Sequence, residues 1–202
     1  LFPLSGVVLF PGLQLPLHIF EPRYRAMVQD VLIRDRQIGM IQPRPHGSGL
    51  SPEKPDLYDI GCLGRITDVE ALEDGRFNIV LEGVSRFRIL RELDVSTPFR
   101  QVEAEIEQIN TQDFLASIER ASLEREAKHF AERQGYMVDW TAVMRLDDET
   151  LVNGIAQIAP FDPASKQAML ESATITDRCE LLVQLMQFFS RIDTEDNNPT
   201  LQ

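Results

Sequence analysis

The residues of this chain whose types bear on chemistry are three histidines, two cysteines and a few polar clusters. His18, His46 and His129 fall in a predicted strand, a loop and a helix. None stands at metal-ligand spacing from another His or Cys, so no metal site is expected. Cys62 and Cys179 sit in a predicted strand and a predicted helix and read as two buried or half-buried thiols. Ser48, Ser51 and Lys54 share a proline-rich stretch, but a nucleophile needs a rigid neighbouring base, which such a stretch does not offer. There is no Gly-x-Ser-x-Gly elbow, no Gly-x-x-x-x-Gly-Lys-Ser/Thr loop and no nucleotide-binding glycine triplet. Gly61-x-x-Gly64 has the spacing of a KH loop, but Cys62-Leu63 at its centre lies within a strand, so it reads as close backbone packing. No catalytic residue and no cofactor is expected, and the chain does not read as an enzyme.

Three features are left that can bind. Glu21, Arg23 and Tyr24 lie at a strand-to-helix junction, where side chains of two elements converge; the plainer reading makes Glu21 a helix cap and Tyr24 core. Arg86 and Arg88 share a parity on one strand, opposite Phe87, and can pair with internal acids or meet an acidic partner. The third is the apolar arm Leu1 to Leu13, which either packs into the fold or leaves an exposed apolar patch.

These residues depend on a readable succession of elements. Leu13, Leu15, Leu17 and Ile19 alternate with Gln14, Pro16, His18 and Phe20, a strand signature, and Pro16 restricts that strand to an edge. Pro22 is pre-set for a first helical position, and Tyr24, Met27, Val28, Val31 and Leu32 recur at the spacing of one helical face. A short strand is expected over residues 37–42. Residues 43–56 hold four prolines and two glycines and read as a long flexible loop. Tyr58 to Leu72 is extended with a switch of parity, which implies a bulge. Asp74-Gly75 then signals a hairpin, and the returning strand through Ile89 is long enough to require a kink, placed at Gly83. A further strand runs from Phe99 to Ile109 with its acids outward. Beyond it the period becomes helical, with Asn110 as the expected cap of a helix through Gln134 and Phe114, Ile118, Ala121 and Phe130 as its stripe. Asp147-Asp148-Glu149, Asp162-Pro163 and Thr174-Ile175-Thr176-Asp177 mark three more helix starts.

The 202 residues carry a net charge of −12, with 43% hydrophobic and 26% charged residues. Residues 1–110 hold 16 acids against 12 bases and residues 111–202 hold 16 against 8, so the second half is the acidic one. Phosphate binding draws on Lys and Arg, so this balance disfavours nucleic acid as a partner, unless Arg65, Arg76, Arg86, Arg88 and Arg91 cluster on one face. No apolar run approaches the roughly 20 residues that cross a bilayer. The apolar start lacks a basic leading segment and a small-residue cleavage site, and a cytoplasmic protein without membrane contact is expected.

Phe2-Pro3-Leu4, Pro11-Gly12, Leu15, Leu17 and Ile19-Phe20-Glu21-Pro22-Arg23-Tyr24 together resemble the opening of the N-terminal, substrate-binding domain of the Lon protease family. Residues 61–66 and 75–89 extend the likeness over roughly the first half of the chain, with the helical remainder matching more loosely. The resemblance implies an α+β fold: an N-terminal PUA-like β pseudo-barrel with one early helix, followed by a C-terminal α-helical bundle. The expected divisions are residues 1–110, residues 111–193 and a disordered tail over 194–202. The ATPase part and the Ser-Lys proteolytic part of the Lon architecture have no counterpart here. The expected function is therefore a non-catalytic protein-binding module, ATP-independent, taking exposed apolar segments of client polypeptides or serving a separate ATP-dependent protease as adaptor. A hydrolase with an unrecognised site, betrayed by a strongly perturbed group in a polar cleft, and an RNA-binding PUA-like domain are the alternatives.

Overall fold

Alternating apolar residues and well-placed turn residues build a six-stranded sheet in the first half of the chain, and helical periodicity takes over in the second. The computed structural model describes residues 1–45, 54–107 and 114–196, with side chains to Ser190. The expected mixed α+β architecture, a sheet first and helices after, is the one found. The chain divides into two compact units: residues 1–109 with 162–170, and residues 110–161 with 171–202.

The first unit contains β1 (Phe2–Pro3), β2 (Gln14–Ile19), α1 (Pro22–Leu32), β3 (Gln37–Ile41), β4 (Ile60–Ala71), β5 (Phe77–Glu92) and β6 (Val102–Ile106). The strand order is β1-β3-β4-β5-β2, and β6 pairs with the far half of β5. All pairings are antiparallel except β1 with β3. β2 is an edge strand, as Pro16 requires. The expected parity switch appears as register shifts at Leu63/Gly64 and at Ile66/Asp68. The first of these places Leu63 opposite Ser85 but Gly64 opposite Gly83, so Val84 is the extra residue and the kink falls beside Gly83. A Cβ on Gly83 would land on the Phe10 carbonyl oxygen. Glycine is required there because the apolar arm crosses β5 at backbone contact, with Gly83 N–H donating to Leu13 O at 2.8 Å. The arm itself packs inward, with Phe2, Val8, Leu9 and Phe10 buried. Cβ atoms on Gly61 and Gly64 would meet Phe87 and Leu9 at 2.6 and 2.9 Å, the close packing expected of that pair.

A helix late in the sequence belongs to this unit. α5 (Pro163–Glu171) is capped by Asp162, whose carboxylate accepts from Ser165 N–H at 2.9 Å and Ser165 Oγ–H at 2.6 Å. Its buried Gln167 donates Nε2–H to Ile60 O at 3.0 Å. Residues 162–170 thus cluster with the sheet, although their periodicity resembles that of the helices around them.

The second unit contains α2 (Ser117–Arg133), α3 (Trp140–Val143), α4 (Asp148–Ile158) and α6 (Ile175–Asp196), with α2 and α4 packed on α6. Thr174 and Asp177 form the expected capping box, Asp177 N–H donating to Thr174 Oγ1 at 3.0 Å and Thr174 N–H to Asp177 Oδ2 at 3.2 Å. Asp147 caps α4 by accepting from Thr150 N–H at 2.9 Å. Arg178 is buried and donates to the buried Asn153 at 2.7 Å, tying α6 to α4. Phe130, Phe161 and Phe189 stack in series with ring centroids 5.8 and 5.3 Å apart.

The second unit also corrects the expected helical stripe. α2 begins at Ser117, where Glu119 reaches back to accept from Ala116 N–H at 2.6 Å, and it ends before Gly135, whose φ is +71°. Its buried residues are Leu123, Ala127, Phe130 and Ala131, whereas Phe114 precedes the helix and Ile118 and Ala121 are exposed. Five residues separate Ile118 from Leu123, which turns it about 140° away from the buried face. Asn110, His46, Ser48, Ser51, most of the 43–56 loop and the end of the 194–202 tail lie outside the described residues; α6 continues to Asp196.

Candidate binding groove

Glu21 is the N-cap residue of α1, but its side chain makes no capping hydrogen bond. Pro22 at the first helical position has no N–H to satisfy, and the Glu21 carboxylate instead accepts from Arg23 Nε at 3.0 Å and pairs with Arg23 Nη2 at 2.9 Å. The pair holds the Arg23 guanidinium 4.6 Å from the centroid of the Tyr24 ring. Tyr24 packs 4.4 Å from the Phe2 ring and directs its hydroxyl at Pro3 O, 3.4 Å away. Burial raises the Tyr24 pKa, and the Arg23 charge opposes that rise. Tyr24 is thus both core and wall.

These three residues form one side of an open groove of about 1180 Å³. The other side comes from the end of β5 and the segment leading into β6. Arg100 grips Glu92 with both prongs, Nε to Oε1 and Nη2 to Oε2, each at 2.9 Å, and donates Nη1–H to Pro55 O at 2.7 Å. Lys54 stands 3.4 Å from the same carboxylate. The Arg100 hydrogen bonds, followed by the Arg100 and Lys54 charges, hold the Glu92 pKa below the ordinary carboxylate range. The rest of the lining mixes apolar residues, among them Pro3, Leu4, Leu93, Val95, Pro98 and Phe99, with polar ones, Ser5, Asp94 and Thr97.

The sequence expectation located one wall of this groove and missed the other. Lys54, Glu92 and Arg100 lie far along the chain from Glu21, and no short motif links them. The available signal was a hairpin: Thr97-Pro98 turns the chain so that Leu93 N–H donates to Gln101 O at 2.9 Å, which brings Glu92 and Arg100 together across the turn.

The other candidates do not line the groove. Phe87 is buried, its ring filling the space beside Gly39 and Gly61. Arg86 pairs internally, with Glu107 at 2.6 Å and with Leu170 O at 3.0 Å. Arg88 is exposed, with Ile60 opposite on β4 and Glu105 opposite on β6. Of the other arginines that could have made a basic face, Arg76 pairs with Asp74 and Arg91 with Glu103, both at 2.6 Å, and Arg65 stands opposite Glu82 in the strand register. His18 is exposed on β2, 2.7 Å from Asn78 Oδ1 and 3.2 Å from Arg76 Nη1. Among the described residues no group of three or more His, Cys, Asp or Glu side chains can hold a metal ion, and no helix is long and apolar enough to cross a membrane. Cys62 and Cys179 are free and buried, and burial pushes the Cys179 thiol up to about 11.

Several known proteins are similar to this chain. The chain is 27% identical over 191 residues to Lon protease 2 of Desulfotalea psychrophila, covering 92% of this chain and 24% of that protein. It is 26% identical over 197 residues to Lon protease of Buchnera aphidicola, covering 95% and 25%. It therefore spans about a quarter of the length of the curated relatives it matches. Among solved structures, a Lon N-terminal domain protein from Xanthomonas campestris has the same fold at TM-score 0.66 and 21% identity, over 91% of this chain and 95% of that one. The N-terminal domain of the Mycobacterium avium complex Lon protease superposes at TM-score 0.70 and 16% identity, over 92% and 96%. The model of the ATP-dependent protease La (LON) substrate-binding domain matches residues 1–187, and the chain belongs to that family.

Proposed function

We propose that the chain is a non-catalytic recognition module that holds exposed, extended segments of client polypeptides in the groove of its first unit, for delivery to an ATP-dependent protease. The observation that carries this reading is the groove's size and lining. Pockets for small ligands span roughly 300–1,000 Å³ and enclose their ligand, whereas this one exceeds that range and is open. Its apolar lining residues would take side chains of an extended segment, and the clusters Glu21–Arg23 and Glu92–Arg100–Lys54 would take backbone or polar groups. Family membership supports the same function.

The groove's chemistry argues against hydrolysis. Glu92 is held down and Tyr24 is held up, so neither is poised to exchange a proton near neutral pH. Pairing of Arg76, Arg86 and Arg91 with acids argues likewise against an RNA-binding face.

The test is fluorescence anisotropy of a labelled, permanently unfolded polypeptide titrated with the full chain at low and high salt. Saturable binding that survives salt and weakens about tenfold in Arg23→Glu, equivalent to about 1.4 kcal/mol, is expected. Absence of binding across a varied set of unfolded polypeptides would overturn the proposal.

A further inference from the structure

The strand path of the first unit ends at β1 and β2 and branches to β6, and two of these three strands are closed to further pairing. β1 is two residues long and ends in Pro3. In β2 the guard is Pro16. Gly83 N–H donates to Leu13 O, so Leu13, Leu15 and Leu17 turn their backbone groups to β5, and Pro16 faces the open side with no N–H to offer. β6 has no proline and no bulge of its own. Leu93 N–H donates to Gln101 O at 2.9 Å and Glu107 N–H to Arg86 O at 3.0 Å, which turns the odd-numbered residues of β6 to β5 and the even-numbered ones away. Val102, Ala104 and Ile106 therefore each point an N–H and a C=O outward, and among the described residues these groups have no partner.

The two faces of β6 define what such an edge selects. On one face Ala104 and Ile106 stand opposite Ile89 and Phe87, and Ile106 is 48% exposed, so an added strand meets apolar side chains there. On the other face Glu103 and Glu105 stand opposite Arg91 and Arg88. Glu103 pairs with Arg91 at 2.6 Å, and Glu105 has no ion pair among the described residues. On this face the charge alternates by strand, basic on β5 and acidic on β6, and a third strand continues the alternation with Lys or Arg. A second copy of the chain does not meet that requirement: antiparallel pairing of β6 with itself about Ala104 sets Glu103 against Glu105 on both sides of the centre.

We infer that the outer edge of β6 takes an extended polypeptide segment as an added antiparallel strand, one in which apolar side chains alternate with Lys or Arg. Backbone hydrogen bonds from Val102, Ala104 and Ile106 hold the segment, the apolar face of β6 receives its apolar side chains, and Glu103 and Glu105 receive its basic ones. This rests on the polypeptide-binding reading for the kind of partner but not for its place. The groove offers side chains to its occupant, whereas the edge requires the occupant's own backbone N–H groups.

The experiment uses the full chain and labelled alternating peptides of equal length, Val with Lys and Val with Glu. The Val/Lys peptide is expected to bind about tenfold more tightly, and N-methylation of its valines, whose N–H groups face β6 in an antiparallel pair, is expected to weaken it about tenfold, whereas N-methylation of its lysines is not. Ala104→Pro gives the centre of β6 the guard that Pro16 gives β2; the N–H it removes faces outward, so the bonds to β5 stay, and the peptide is expected to bind about tenfold more weakly. Glu105→Lys is a second variant, expected to cut the preference for Val/Lys over Val/Glu about fivefold with the thermal midpoint unchanged. Equal binding of the two peptides, affinity that valine methylation leaves unchanged, or Val/Lys binding that neither variant alters overturns the inference. A dimer of the free chain that Ala104→Pro abolishes gives the edge to a second copy and overturns it as well. Unfolded-polypeptide binding that Arg23→Glu weakens, found alongside any of those results, upholds the groove and removes only the edge.

Discussion

A methyl group at position 83 would collide with the Phe10 carbonyl, and the cost is borne by two pieces of backbone that cannot step aside. Gly83→Ala is expected to destabilise the first unit by about 2 kcal/mol, the middle of the range for overpacked sites, measured as a lower urea midpoint with an unchanged slope. The two walls of the groove respond differently to pH. Arg100 lowers the Glu92 pKa in the folded chain, so this pair contributes stability above the ordinary carboxylate pKa and loses it as pH falls through the lower, folded value. Glu92→Gln is therefore expected to flatten the acid limb of the stability profile and to lower the plateau above it, as urea unfolding over a pH series would show. Cys179 has the opposite sign. Its thiol is favoured as the neutral form in the fold, so its contribution is complete below the ordinary value of 9.0 and disappears as pH rises toward about 11. Both cysteines should resist a thiol reagent at pH 8 in the native chain and react on unfolding, as absorbance of the released label would report. The chemistry of the single residue was legible in Gly83, Pro16 and the internal pairing of Arg86, because each follows from local sterics or a neighbouring acid. Glu21 was less so. Its carboxylate pairs with the Arg23 guanidinium and makes no hydrogen bond to the helix start.

Helix starts were read well where a side chain declares them and poorly where the backbone is satisfied from elsewhere. Asp147, Asp162 and Thr174 act as the caps their spacing implies. Thr174→Ala is expected to cost about 1 kcal/mol, seen as a lower thermal midpoint, because it removes one half of a reciprocal pair. The start of α2 has no such side chain: Ala116 occupies the cap position, Glu119 serves Ala116 from three residues ahead, and Asp148 serves Leu115 from another helix. Without that contact in view, the stripe is phased from the wrong end, and Ile118 is assigned to the core instead of the surface. α4 and α6 share a different dependence. Asn153→Ala is expected to destabilise the second unit by about 2 kcal/mol because it withdraws an acceptor from the buried Arg178 guanidinium, and denaturant unfolding would measure it. In β4 and β5, parity, the Asp-Gly turn and the kink were all visible because a sheet face repeats every second residue and any departure shows.

At the level of the whole chain, the order α+β was legible and the membership of α5 was not. Helical periodicity states that residues 163–171 form a helix with one buried face; it does not state which apolar surface that face meets. The deciding contacts, Gln167 to Ile60 O and Arg86 to Leu170 O, join residues about a hundred and about eighty positions apart, beyond any pattern read along the sequence. The groove shows the same limit, since Glu21 and Arg100 come together only after β1 to β6 have paired. This discontinuity bears on how the protein is made. A ribosome extends a chain at roughly 5–20 residues per second, so the β-strands emerge several seconds before the helix that completes their unit. During that interval the Ile60 carbonyl lacks its Gln167 partner and the surface that α5 covers stays open. The first unit is therefore expected to close only once residues 162–170 have been made, which limited proteolysis of a chain truncated at residue 161 would check.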